Sequence, residues 1–161
     1  MNAAESPPIS ELVPHSGEIV LLERVLEHDG ESTVTRVVVG SRALLRREDG
    51  SVPAWLALEY MAQCAAAHEG ILARAEGRPP VPGFLVRAVE FRFYRSRFEC
   101  DELLRVRARR IRGRLGLGVL SHLCTIHAES EGKDEALLAE GRLTVSLPGP
   151  SSTATDPASR S

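Results

Sequence analysis

Several features are missing from this sequence, and each gap narrows what the chain can be. It has no uninterrupted apolar run of ~18 residues, the minimum for a helix that crosses a bilayer. The nearest approach is "VPAWLALEYMAQCAAAHEGIL", Val52 to Leu72, which is broken by Glu59, Gln63, His68 and Glu69. The opening "MNAAESPPISEL" has neither a basic start nor an apolar core. No signal peptide is expected from it, and with no membrane span the chain is expected in the cytoplasm. Cysteine is scarce: Cys64, Cys100 and Cys124 show neither CxxC nor metal-ligand spacing. Free thiols in a reducing compartment are the simplest expectation, with no metal and no cofactor. Positive charge is not in surplus, since the formal net charge is −2, which argues against nucleic acid as the main partner. Lysine is nearly absent, Lys133 being the one lysine among 20 basic residues, and no function follows from that. No internal repeat is present.

What remains is 161 residues, 43% of them apolar, enough for one domain with a core of its own. Residues 1–8 are polar with two prolines and read as a flexible N-terminus. Residues 149–161 have the composition of a disordered tail. The domain is expected over 9–148.

Two β-rich runs, Ile19–Leu26 and Ser32–Val39, flank the turn signal "HDGE" and predict a hairpin. A long helix follows over about Pro53–Ala75, with Ser51 as N-cap, Pro53 in the first turn, Gly77 as C-cap and Pro79 beyond. Four further runs alternate with period two. In "VEFRFY" the residues Val89, Phe91 and Phe93 share a face. In "LRVRARR" the residues Leu104, Val106 and Ala108 face one way, and Arg105, Arg107 and Arg109 the other. "LGVLSHLCTIHA" and "LLAEGRLTVSL" complete the set. Antiparallel strands with one wet face account for all four. A helix that is apolar all round needs burial all round. A curved antiparallel sheet wrapped about it, with a second copy of the chain covering the rest, is the α+β hotdog architecture.

Here the residues resemble a known family. "ELVPHSGEIVLLERVLEHDG" is similar to the opening of the 3-hydroxyacyl-acyl-carrier-protein dehydratases, on Pro14, His15, Glu23, Arg24 and Val25. "VPAWLALEYMAQ" resembles their central helix, with Pro53 six residues before Glu59 and then Met61, Ala62 and Gln63 in step. The start Pro53-Ala54-Trp55 and the ending "LLAEGRLTVSLP" are closest to the aryl-polyene branch of that family.

The resemblance implies dehydration of 3-hydroxyacyl thioesters on acyl carrier protein, in fatty-acid or polyene biosynthesis. It gives Glu59 the catalytic carboxylate's place, and Pro53, Ala54, Trp55 and Gln63 places in the substrate pocket. The backbone N–H of Ala54 stands where the family polarises the thioester carbonyl. A carboxylate among Trp55, Leu56, Leu58 and Met61 is expected to be desolvated, which favours the role of acid. One element is missing. The family's histidine base precedes the helix, and that position holds Leu45. His68 lies nine residues past Glu59, on the opposite face and ~13 Å along the helix axis. His15 is a weaker catalytic candidate, read first as a turn residue at the mouth of the first strand. His68, His122 and His127 lack metal spacing and are expected to be ordinary surface or part-buried histidines. Arg92, Arg95 and Arg97 are candidates for docking an acidic carrier protein. The missing base keeps two alternatives open. One is a non-catalytic hotdog subunit that completes an active paralogue; the other is an acyl thioesterase on the same fold. Homodimer and heterodimer are both compatible with the sequence.

Overall fold

The computed structural model of the chain describes residues 6–42, 45–113, 118–130 and 136–147. The tail expected over 149–161 and most of the expected N-terminal extension lie outside the described residues.

Six strands form one antiparallel sheet. They are β1 (Arg24–His28), β2 (Ser32–Val38), β4 (Phe84–Phe93), β6 (Leu103–Arg112), β7 (Val119–Ala128) and β8 (Leu137–Ser146). Their order across the sheet is β1-β2-β6-β7-β8-β4, so β1 and β4 are its edges. A two-stranded ribbon pairs β3 (Val52–Pro53) with β5 (Arg97–Phe98). One long helix, α1 (Ala57–Ala75), lies against the sheet, touching β2, β6 and β7. This is the α+β hotdog fold.

The alternating runs pack as their period demands. Leu104, Val106 and Ala108 of β6 and Cys124 and Ile126 of β7 are fully buried in the core that includes the helix. Each large apolar side chain so enclosed contributes roughly 1.5–3 kcal/mol. Small residues on α1 let the backbones close up. Ala57, Cys64 and Ala67 are fully buried, and the Cys64 thiol donates to the Val106 carbonyl at 3.2 Å.

Four local expectations change. The helix begins at Ala57 rather than Pro53, because Pro53 pairs with Arg97 in the ribbon and Ala54–Leu56 form a 3-10 turn. Ser51 does not cap it: its N–H and hydroxyl both bond Asp49 Oδ1, at 3.0 and 2.6 Å. The first strand starts late, at Arg24. Residues before it are drawn out of the sheet and across the helix, with Val20, Leu21 and Leu22 buried. In β4 the predicted face is broken by a bulge between Val89 and Arg92, where Glu90 takes φ 58°. Phe93 is exposed as a result, and Phe91 lies over Gly141 of β8, where a Cβ would sit 2.6 Å from the ring.

Gly77, at φ 69°, ends the helix as the sequence predicts. Its N–H reaches the Arg74 carbonyl at 2.9 Å, and that of Arg78 reaches Ala73 at 2.9 Å. Gly70 has a different task. A Cβ there would lie 2.0 Å from the Leu12 carbonyl oxygen. The bare helix surface lets the N-terminal segment Ile9–Val13 press onto α1, and that contact sets the path of the residues that follow.

Candidate active site

Those residues carry Pro14 and His15 to the first turns of the helix. There a groove of about 370 Å³ runs between α1 and the start of β4. Trp55, Leu58, Glu59, Ala62, Ala66 and Glu69 line it on the helix side. These positions recur every three or four residues and so share one face. Val81, Phe84, Leu85, Val145 and Leu147 form the opposite wall. Pro14 and His15 close the end near Glu59.

Glu59 is held from one side. Gln63, one turn on and fully buried, donates from Nε2 to Glu59 Oε1 at 2.8 Å. His15 faces the same oxygen, with Nε2 at 3.8 Å. The two side chains, His15 and Glu59, are 30% and 40% exposed respectively. The desolvated carboxylate expected from the sequence is therefore corrected: Glu59 lies at an open groove, because Ala57, Tyr60 and Met61 turn into the core while its own face looks outward. His15, read first as a turn residue, is the one histidine among the described residues that lines this groove.

The other sequence candidates separate. Trp55 lines the groove and is 56% exposed. Pro53, Ala54 and Gln63 do not line it. Gln63 reaches the Glu59 carboxylate instead, and the Ala54 N–H is already donated to the Ser96 carbonyl at 3.0 Å. The oxyanion role that the resemblance gave to that N–H is thus taken up within the chain. The three arginines expected to dock a carrier protein are paired with carboxylates. Arg92 meets Glu140 at 3.2 Å, and Arg97 meets Glu99 at 2.8 Å. Arg95 is bidentate to Glu102 and lies 5.7 Å over the Phe98 ring, so it belongs to the scaffold. Leu45, the position to which the resemblance assigned the family's histidine, has φ 56°.

A second polar cluster sits under the far end of the groove. Glu69 is bidentate to Arg110 and accepts from His122 Nε2 at 2.8 Å. Burial works to raise the pKa of Glu69, but the hydrogen bonds from His122 and Arg110 outweigh it and hold the carboxyl below its usual range. His68 and His122 are both fully buried, where surface or part-buried histidines were expected. The His68 ring stands 6.0 Å from that of His122, and its Nδ1 is 3.0 Å from Thr33 Oγ1. Burial pushes the His68 pKa down to about 4, partly opposed by the charge of Glu69. The signal for this cluster was in the strand periods. Arg110 is in phase with Leu104, Val106 and Ala108, and His122 with Leu120 and Cys124. A polar residue on an apolar face calls for a buried partner.

Comparison with known proteins adds to this geometry. The family model for ApeP-like proteins, described as ApeP dehydratase, matches residues 7–156. The chain belongs to the ApeP-like family. Among solved structures it is similar to the dehydratase heterocomplex ApeI:P from Xenorhabdus doucetiae, at 22% identity and TM-score 0.80 over 91% of this chain and 94% of that one. It is also similar to zebrafish thioesterase superfamily member 2, at 15% identity and TM-score 0.59 over 87% and 93%. A hypothetical thioesterase from Streptococcus pneumoniae matches at 10% identity and TM-score 0.56, over 78% and 84%. At these identities the structures speak for the hotdog fold. No curated protein matches the chain. The ApeP-like assignment agrees with the dehydratase branch that the helix and strand motifs resemble. Among the described residues no helix is long and apolar enough to cross a membrane.

Proposed function

We propose that this chain dehydrates a 3-hydroxyacyl thioester carried on acyl carrier protein, in fatty-acid or polyene assembly in the cytoplasm, as one half of a hotdog pair. The observation that carries the reading is the meeting of His15 and Glu59 at 3.8 Å at one end of a largely apolar groove. An apolar groove suits an acyl chain. Dehydration needs a base for the Cα proton and an acid for the departing hydroxyl. His15 takes the Cα proton, the Cα–Cβ double bond forms, and the Cβ–O bond breaks as Glu59 delivers a proton to the leaving oxygen. The products are the trans-2-enoyl thioester and water. The proton gained by His15 then returns to Glu59 across the short gap, so one shared proton serves every cycle. With the Ala54 N–H engaged, polarisation of the thioester carbonyl falls to the N-terminal end of α1, which has no side-chain cap.

The partner we propose is a second hotdog protein, in keeping with the heterocomplex formed by the Xenorhabdus relative. The edge strand β4 supports this. Its outer backbone is unpaired by any other described strand, and Phe84, Val86 and Phe93 are exposed along it. For the carrier, Arg92 and Arg97 remain the docking candidates, being exposed at 71% and 47%. One other reading has an observation in its favour. Leu45 in place of the family's histidine fits a supporting subunit whose paralogue does the chemistry. The test is dehydration of a 3-hydroxyacyl carrier substrate by the chain alone and with a hotdog paralogue, each with Glu59→Gln and His15→Ala. Loss of turnover in both variants supports the His15–Glu59 pair. Full turnover in both assigns the chemistry to the partner.

A further inference from the structure

Gln63 sits where two separate pieces of chain meet. It is fully buried and makes three hydrogen bonds. Nε2 donates to Glu59 Oε1 at 2.8 Å and to the Ile19 carbonyl at 2.7 Å. Oε1 accepts the Leu21 N–H at 2.9 Å. A carboxamide offers two N–H hydrogens on one side and an acceptor on the other. Two acceptors and one donor surround it here, so one orientation satisfies all three partners and the flipped one sets oxygen against oxygen twice.

Ile19 and Leu21 belong to the stretch that crosses the helix before β1, and His15 lies four residues ahead of Ile19 in that stretch. Glu59 is on α1. The amide therefore ties the segment that carries His15 to the helix that carries Glu59. His15 has no such anchor of its own. Its Nδ1 is buried without a partner among the described residues, and at 3.8 Å its Nε2 is beyond hydrogen-bond reach of Glu59. Gly70 fixes the same segment further back, at Leu12, but that contact lies three residues before His15 on the other side. Glu59 Oε1, the oxygen that faces His15, is also the one that Gln63 holds.

We infer that Gln63 is a positioning residue, which pins the segment that carries His15 to the helix and so sets the separation of His15 from Glu59. The inference rests on the proposed role of that pair, so its test has one arm that does not depend on turnover. In the full-length protein, the ring NMR signals of His15 are compared with and without Glu59→Gln. The comparison is made first with Gln63 present and then with Gln63→Met, a double-mutant cycle on the spectrum. The expected result is a clear response of His15 to Glu59→Gln that is largely lost once Gln63 is methionine. If Gln63→Met does not fold, Gln63→Asn, which keeps the amide but draws it back from all three partners, takes its place.

The second arm is kinetic. In the active preparation, Gln63→Met should lower kcat on the order of 10- to 100-fold, because a small misplacement of paired groups is costly. KM should change far less, since Gln63 does not line the groove. A folded variant in which His15 still responds to Glu59→Gln as in the parent overturns the inference, whatever its activity. An inactive parent overturns the dehydratase reading instead and leaves the NMR arm to decide for Gln63.

Discussion

Glu59 illustrates how far a single residue can be read from its neighbours in sequence. Its spacing from Pro53 and Gln63 placed it at a site, but its exposure depends on which way the helix faces, and that is set by the sheet. If Glu59 gives up a proton in the reaction, Glu59→Gln should lower kcat by on the order of 100-fold or more while the fold persists, as shown by an unchanged circular dichroism spectrum. His68 makes a separate prediction about pH. Its pKa is 6.5 in the unfolded chain and about 4 when folded, lowered by burial. The unfolded state thus binds more protons between those values, so stability is full above pH 6.5 and falls as pH drops towards 4. The loss should be about 3 kcal/mol, at ~1.4 kcal/mol for each tenfold change in proton affinity. Glu69, whose pKa is also lowered, acts in the same direction below its ordinary range. Urea titrations across this window on His68→Leu should show a flatter dependence than the parent.

At the scale of elements, the helix and the long strands were legible because their periods are local. Leu104, Val106 and Ala108 alternate whatever lies opposite them. The segment before β1 was not legible, because what bends it is remote in sequence. Leu12 is seated at Gly70, and Leu21 and Ile19 are tied to Gln63. A reader of "PHSGEIVLLERV" sees a strand, since neither Gly70 nor Gln63 announces its partner. For the same reason His15 looked like a turn residue rather than a neighbour of Glu59. The buried cluster of Glu69, Arg110 and His122 was half legible: the strand phases put Arg110 and His122 on the core face, but nothing local names the carboxylate that receives them. The seating of the N-terminal segment can be tested at its closest contact. Gly70→Ala places a methyl against the Leu12 carbonyl, and overpacking of that kind costs roughly 1–3 kcal/mol. The midpoint of urea unfolding should fall accordingly, and the His15 NMR signals should shift as the segment lifts.

At the scale of the whole molecule, the sheet ends in β4, whose outer edge no described strand covers. β4 is ten residues long, and Phe84 and Val86 are 69% and 57% exposed. An edge of this length and character favours pairing with another strand. Val86→Lys should therefore weaken association with a hotdog partner, seen by sedimentation as a shift towards the 17.5 kDa chain, with little change in the stability of the single domain. The central claim is that His15 and Glu59 together remove water from a 3-hydroxyacyl chain held in the groove. The measurement closest to it is mass spectrometry of the carrier-bound substrate. The chain is incubated with the proposed hotdog partner, with wild-type residues or with Glu59→Gln and His15→Ala in turn. The account predicts conversion to the dehydrated thioester with the parent chain and its near-complete loss with either variant. Conversion at the parent rate with both variants would contradict it and move the chemistry to the partner subunit.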